Sequence, residues 1–525
     1  MHWIKTINYK IIFSIFIFSF IFLLTRVPRL GTDEVNPDAV NWHYRSEQFI
    51  VGLKTGQFEK TYQHYHPGIT LMWIMGVPIE AYKQISETKI YNQYSFYTFH
   101  FIAKYSLISI QLILCIFVIF ILNKIISFKK ALFVMTFMIL EPFFIGNSRL
   151  LHMDVLFTLL LFISLTLFYL YLSQNKIQWL ILSAVFTSLT FLTRSIGIGV
   201  FVYLLFGGFL FLYIYKKRTK LKIINPVIFT GVFILVTFVI FPALWKSPIS
   251  VISDIFSEGQ RIGLENGHEQ IFFGQKVYNP GFIFYPLVIL LKLSPAVLIG
   301  VVIYAYYIMK LLFLKKERNS LFVKNRLIGF NSFLSIFYLG YFLVMSLSSK
   351  KIDRYMVTIF PLIIIFAVYG YFCIFSVVSK NIKKYLFLIL FLIFGFFVVQ
   401  PLILIFPYYF TYTSPLFGSS YRANRIIGQK SFGIGIFDVK DKLQQEYGQN
   451  IEVGFIDTKP IKSIYPNSLV NDIRIDGPSG YDVIVLGINE DFPENIRKSK
   501  LVFIKDSSIF INGLEYWRFY VKQNN

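Results

Sequence analysis

Residues 154–172 read DVLFTLLLFISLTLFYLYL, one carboxylate followed by eighteen residues without a charge. As a helix rising about 1.5 Å per residue, the run covers about 28 Å, close to the roughly 30 Å hydrocarbon core of a bilayer. The chain around it has the same character. Of 525 residues, 55% are hydrophobic and only 15% charged, and the mean hydropathy is +0.60, a balance that excludes an ordinary water-soluble enzyme. About eleven spans can be marked, near 11–25, 101–123, 131–147, 153–172, 177–193, 196–215, 223–243, 281–312, 327–348, 355–378 and 385–408. The fold expected is a polytopic α-helical membrane protein.

Lys and Arg number 51 against 28 Asp and Glu, for a net charge of +23. In a soluble chain that excess would point to nucleic acid; here it is placed by the bilayer, so no nucleic-acid partner is expected. The cations gather in alternate connections: Lys124/Lys129/Lys130, Lys176, Lys216 to Lys222, Lys315 to Arg326 and Lys380/Lys383/Lys384. By the positive-inside rule these loops and the N-terminus are cytoplasmic in a cell membrane, and an odd number of spans puts the C-terminus outside. The apolar run from Ile11 to Leu24 lacks a small-residue cleavage site and reads as a retained first span. Cys115 and Cys373 both fall in apolar spans, so neither a disulfide framework nor a cysteine metal site is implied.

Two organisational units follow, a membrane region over 1–408 and a tail over 409–525. The outer face then holds a loop at 26–100, a second at 244–280, and the tail. In the tail, short β-rich runs (452–456, 481–486, 501–504) alternate with a helical pattern at 439–447 and with turn residues, which predicts a small extracytoplasmic α/β domain. An apolar patch at Ile69 to Met75, too short to span, is expected to lie in the interface.

The polar residues hardest to explain by solvation share the outer side. Asp33, Glu34 and Asp38 follow the first span; Asp154 opens the fourth. At a helix's outer end a carboxylate escapes most of the roughly 2.5 to 3.5 kcal/mol insertion penalty of a mid-membrane site. Taken singly, Asp38 in Asn36-Pro37-Asp38 also fits a turn or helix cap, and Asp154 a cap with a bridge to Arg149. Arg149, Arg194, Lys350, Lys351 and Arg354 sit at outer span ends, where guanidinium and ammonium groups suit a phosphate at headgroup depth or an ordinary lipid headgroup. Six of the seven histidines (43, 64, 66, 100, 152 and 268) lie on or near this rim. His64 and His66 could offer two metal ligands, but hydrogen bonding or stacking in a cleft fits the spacing better, and no metal or cofactor is assigned.

In order along the chain, Asp38, Trp42, Arg45-Ser46, His66-Pro67-Gly68 and Met72-Trp73 resemble the first outer loop of GT-C glycosyltransferases, specifically the protein O-mannosyltransferase and aminoarabinose-transferase-like group of family 39 type. Arg149, His152 and Asp154 resemble that group's second acidic site. His268, Phe273-Gly274, Pro280-Gly281 and Phe284-Tyr285-Pro286 resemble its second outer loop, Lys350 to Tyr355 its Lys-Lys-x-Asp-Arg-Tyr element, and 412–418 the stretch after its last span. The resemblance implies a GT-C-like fold, a polyprenyl-phosphate-linked sugar donor, a lipid, glycan or protein acceptor, and sugar transfer with inversion on the outer face. Asp38 is the implied catalytic carboxylate. Ala39 stands where the group has an acidic partner, and an intact Asp33-Glu34 pair lies five residues earlier, which keeps Asp33 as the second candidate.

The same resemblance places Asp154 in the catalytic set. It places Trp42, Arg45, His66, Arg149, His152, His268, Tyr285, Lys350, Lys351, Arg354 and Tyr355 around the substrates, and Glu34, His64 and Arg194 join them by their position on the same outer rim. A transporter or lipid flippase is the rival function, but polar residues do not recur in two related halves of the spans. A non-catalytic scaffold would leave the outer Asp, Arg and His residues without a role.

Overall fold

A computed structural model describes residues 9–208, 210, 224–262, 269–313, 326–381, 395–396, 398–477, 480–499 and 501–523. The whole of the charge run at 216–222 and of the loop at 315–325, the first half of the expected span at 385–408, and His268 lie outside these residues.

From residue 9 to residue 193 the chain forms α1 (Tyr9–Arg26), α2 (Pro37–Thr55), α3 (Ile69–Ile85), α4 (Phe96–Leu122), α5 (Phe128–Leu140), α6 (Pro142–Arg149), α7 (Asp154–Gln174) and α8 (Ile177–Thr193). Apolar helices at Ile224–Ile240, Phe284–Lys292, Pro295–Phe313, Arg326–Leu347 and Phe360–Asn381 complete the bundle. Among the described residues, five helices are long and apolar enough to cross a membrane, or up to seven if each of two bent pairs is one span. Further apolar helices at Ile177–Thr193, Ser195–Gly208 and Ile224–Ile240 are shorter. The chain is thus a multi-pass membrane protein, and five to seven spans meet this measure among the described residues, where eleven are expected along the whole chain.

α7, the stretch that set the expectation, is buried along almost its whole length. A helix apolar on every side belongs in the middle of a bundle, with other helices around it. Its few hydroxyls join it to α8: Ser164 Oγ lies 2.6 Å from Thr187 Oγ1, and Ser183 Oγ donates to the Ser164 carbonyl at 2.9 Å. Between helices in lipid such bonds contribute about 0.6 to 2 kcal/mol each.

The two bent pairs are held to each other. α5 and α6 turn by 69° at Glu141-Pro142, and the helices at Phe284–Lys292 and Pro295–Lys310 turn by 115°. Proline at each break cannot donate to the preceding turn, so the backbone groups freed there need other partners. Glu141 supplies one set, its carboxylate accepting the Ser294 N–H and the Ser294 hydroxyl, both at 2.7 Å. Glu141→Ala leaves both donors buried and unmet, at about 1 to 3 kcal/mol. We expect a clear drop in the thermal midpoint of the detergent-purified protein, and a much smaller one for Glu141→Gln, which keeps an acceptor; equal midpoints in all three proteins would remove this pin.

The apolar patch at Ile69 to Met75 opens α3, where Leu71, Met72 and Met75 are buried against α2 and α4, with Trp73 Nε1 donating to the Ile240 carbonyl at 3.1 Å. It is part of the bundle's packing and not a patch turned outward.

The tail carries a five-stranded sheet of β3 (Val453–Phe455), β4 (Val470–Asp472), β5 (Val483–Gly487), β6 (Phe503–Ile511) and β7 (Leu514–Lys522), in the order β4-β3-β5-β7-β6. β3 is parallel to β4 and β5, while β7 is antiparallel to β5 and to β6. The β6–β7 hairpin turns at Asn512-Gly513, both with positive φ (50° and 73°), as a two-residue turn of this hand requires. A two-stranded ribbon of β1 (Gln270–Phe272) and β2 (Gln275–Val277) meets the tail through a bridge between Phe272 and Ile427.

The tail is not simply appended. Val35, from the acidic loop after α1, is fully buried in the tail's own apolar core. The Val35 N–H donates to the Gly433 carbonyl at 3.2 Å, and Gly435 N–H to the Asp33 carbonyl at 2.9 Å. A Cβ on Gly433 would stand 1.9 Å from the Val35 carbonyl oxygen, so only glycine permits this approach.

Candidate functional site

Asn36 caps α2, its side chain accepting the Ala39 N–H at 2.8 Å, and Pro37 takes the first helical position. Asp38 therefore stands in the first turn, where the helix dipole favours a carboxylate. One oxygen, Oδ2, accepts Arg354 Nη2 at 2.9 Å and lies 3.5 Å from His152 Nε2. The other accepts no hydrogen bond among the described residues, and 37% of the side chain remains exposed. Burial alone would raise its pKa; Arg354 and His152 outweigh that and hold it at about 2.

Behind this pair sits a second carboxylate. Asp154 opens α7 and Arg194 follows the end of α8, so the N-terminal dipole of one helix meets the acid and the C-terminal dipole of the other meets the base. Asp154 Oδ1 pairs with Arg194 Nη1, and Oδ2 lies 2.8 Å from His152 Nδ1 and 3.5 Å from Arg354 Nε. Residues 38, 152, 154, 194 and 354, far apart in sequence, thus form one charged network at one end of the bundle. Arg354 Nη1 and Arg194 Nε are buried donors that meet no acceptor among the described residues.

Asp33 and Glu34 belong to a different cluster. Lys104 Nζ bridges Asp33 Oδ1 and Glu34 Oε1 at 2.8 and 2.7 Å, and Arg149 Nε reaches Asp33 Oδ2 at 2.8 Å. Arg149 spends its other nitrogens on the carbonyls of Arg26 and Pro28, at 2.9 and 3.0 Å. All four side chains are at most 4% exposed. Burial raises the Asp33 carboxyl and the two cations overturn it, leaving it at about 2. The bridge from Arg149 to Asp154 considered from sequence is not formed: Arg149 turns to Asp33 and Arg194 takes Asp154.

The remaining residues singled out from sequence divide into two groups. Arg45 stacks over Trp42 with its guanidinium 4.7 Å from the ring centre, and His64 meets the same ring edge-on at 6.0 Å. Trp42 is buried beneath Gly68, where a Cβ would come within 2.2 Å of the indole. His64 Nδ1 accepts the His66 N–H at 3.1 Å, and His66 Nδ1 lies 3.2 Å from Ser195 Oγ. Burial and then Arg45 lower His64 to about 4, while burial and then Arg194 push His66 well below its usual value, so both rings are neutral at pH 7. Among the described residues no group of three His, Cys, Asp or Glu is arranged to hold a metal ion.

Lys350 is half-buried, its pKa lowered by burial and then by the nearby charge of Arg194. Tyr355 packs against Arg194, with the guanidinium 4.7 Å from the ring centre. Lys351 donates to the carbonyls of Ser346, at 2.7 Å, and Ser348, closing the helix end before it, and Tyr285 OH meets the Ile352 N–H at 3.4 Å. Two rim histidines are framework: His43 and His100 form a chain from Tyr91 OH to the Glu34 carbonyl, with spacings of 3.0 to 3.1 Å.

Asp38 and Arg354 open onto a cavity of about 380 Å³ between the bundle and the tail, with Lys292, Lys351, Lys430 and Phe432 among its walls. Arg354 lies 4.8 Å over the Phe432 ring. Lys430 and Phe432 come from the tail and carried no signal in the sequence. Lys292 did carry one, as a cation inside an otherwise apolar span; it is buried and faces Asp353 at 3.6 Å.

No protein-family model matches the chain, and no curated protein matches it. Among solved structures it is similar to ArnT from Cupriavidus metallidurans bound to undecaprenyl phosphate, with 11% identity over 98% of both chains and a TM-score of 0.49. It is also similar to the Archaeoglobus fulgidus oligosaccharyltransferase in the apo form, with 10% identity over 93% of this chain and 70% of that one and a TM-score of 0.48. Both neighbours have the GT-C fold, the superfamily that the sequence resembles.

Proposed function

We propose that the chain is a membrane glycosyltransferase that moves a sugar from a polyprenyl-phosphate donor to an acceptor hydroxyl, with Asp38 as general base. One observation carries the reading: a carboxylate at a cavity wall with one oxygen held by a buried guanidinium and the other free. The acceptor oxygen attacks the anomeric carbon as the bond from that carbon to the phosphate oxygen breaks, and the hydroxyl proton passes to Asp38 Oδ1. The lipid phosphate departs with both electrons of the broken bond, its charge met by Arg354 and Lys350. Attack opposite the leaving group inverts the anomeric centre. Arg194 and His152 hold Asp154, and Asp154 in turn holds Arg354. A long isoprenoid tail stays in the bilayer at about 0.8 kcal/mol per CH₂, which favours placing this chemistry at the end of an apolar bundle. The orientation that puts this end outside the cell rests on the loop charges.

In the resting network Asp38 is a weak proton acceptor, because Arg354 stabilises its charged form. A donor phosphate that recruits the guanidinium weakens that hold and makes Asp38 more basic. The acid limb of kcat, which reports the bound enzyme, is therefore expected about one pH unit or more above that of kcat/KM, which reports the free enzyme. The free-enzyme profile should be flat from about pH 5 to 8, with Asp38 ionised throughout. Coincident limbs would remove Arg354 as the shared partner. The direct test mixes the purified full-length protein with a panel of undecaprenyl-phosphate sugars and candidate acceptors and follows released undecaprenyl phosphate by mass spectrometry. Release that depends on acceptor supports the proposal; release with no donor in the panel overturns it.

A further inference from the structure

A second, larger cavity of about 940 Å³ lies in the tail, against the carboxyl ends of the parallel strands. From β3 the chain crosses through the helix at Thr458–Lys462 to β4 on one side, while β5 lies on the other. The strand order therefore reverses between β3 and β5. In open α/β sheets the connections diverge at such a point and leave a crevice that binds ligands. Here Ile456 and Asp457 leave β3 and residues 488–491 leave β5 to form the floor. The β1–β2 ribbon forms the far wall, fixed by Gly428 N–H donating to the Ile271 carbonyl at 2.9 Å.

The crevice and the Asp38 cavity share Gln270, Asp457 and residues 428–430 and 432 in their linings, so they adjoin through this common wall. Gln270 Nε2, in that wall, is buried and donates to nothing among the described residues. Such an amide is the kind of group that a ligand satisfies. The lining also carries five carboxylates and five cations, an even balance in a chain whose net charge is +23. A charged polymer would select one sign. A neutral polyol, whose every hydroxyl both donates and accepts, uses both signs, and Phe432 and Phe492 add apolar surface for the faces of sugar rings. The volume is at the upper end of the roughly 300 to 1,000 Å³ of small-molecule sites, which suits several linked rings better than one.

We infer that this crevice is the acceptor site, and that it takes a neutral oligosaccharide and presents one of its hydroxyls past Gln270 to Asp38. The inference deepens the proposed function and rests on it for the word acceptor, but binding can be tested without turnover. Saturation-transfer NMR on the full-length protein in nanodiscs, with mannotriose, chitotriose and maltotriose as probes, is expected to show binding of at least one. Gln270→Leu and Lys276→Glu should each weaken that binding at least tenfold, while in Lys276→Glu, which lies outside the Asp38 cavity, the thermal shift produced by undecaprenyl phosphate stays at its wild-type size. Absence of all three saccharides from the wild-type protein would overturn the inference. So would binding unchanged in both variants, or binding of hexaglutamate or hexalysine in place of the saccharides. Saccharide binding that meets these criteria in a protein that transfers no sugar leaves the crevice assigned as a glycan site and defeats the enzyme.

Discussion

Asp38→Asn is expected to lower sugar transfer by about 10² to 10⁴, the range over which a positioned general base contributes. The amide keeps the size of the carboxylate and its place in the first turn of α2 but cannot take the acceptor's proton. Folding should survive, because Arg354 keeps Asp154 as a countercharge at 3.5 Å. Affinity for undecaprenyl phosphate should be kept or raised, since the guanidinium is released from its bond to Asp38. Turnover and lipid-phosphate binding measured on the same preparation separate these effects. Transfer within tenfold of wild type would remove Asp38 from the chemistry.

Asp33→Ala should fail in another way. Removing it leaves Lys104 with Glu34 alone and Arg149 with no carboxylate, in surroundings where all four side chains are almost wholly buried. Breaking one partner out of a buried ion cluster is typically destabilising by about 3 to 5 kcal/mol. The expected result is a large loss of monodisperse protein by size-exclusion chromatography, or a sharply lower thermal midpoint. A well-folded Asp33→Ala protein without turnover would transfer the role of base to Asp33. The cluster also has a pH signature. Asp33 is held below its unfolded value, so its contribution is complete above about pH 4 and is lost as pH falls through its folded value of about 2.

Asp38 and Asp33 differ by five positions and resemble each other in sequence, yet the fold gives them opposite surroundings. What separates them is the partner set, and partners more than seventy residues away leave no trace in local spacing. The helical framework was legible because hydrophobic run length is a local property: α7 and α8 begin and end within about two residues of their expected limits. Two expected spans are each broken at a proline. Pro142 and Pro295, with Glu141 nearby in an apolar run, were the available signs. Lys104 and Lys292 were equally visible as cations inside spans, and each proves to be buried and paired with a carboxylate.

In the tail, the runs at 452–456, 481–486 and 501–504 correspond to β3, β5 and the start of β6. β4 and β7 lie outside these runs, and β7 is announced only by its turn, Asn512-Gly513, a strong hairpin signal. The contributions of Lys430, Phe432 and Gln270 could not be read in advance. They depend on how the β1–β2 ribbon and the tail dock, and docking is set by shape.

The short seam in which Val35 and Asp33 exchange backbone bonds with Gly433 and Gly435 also bears on protein engineering. A chimera joined at residue 408 would discard the strip 428–435 with the old domain and leave Val35 facing water. A graft that keeps this strip and splices beyond Ile436 retains these backbone bonds while replacing the sheet, and its new sheet must again supply an apolar cover for Val35. Replacement of the tail is therefore expected to be tolerated better at the later junction than at the earlier one.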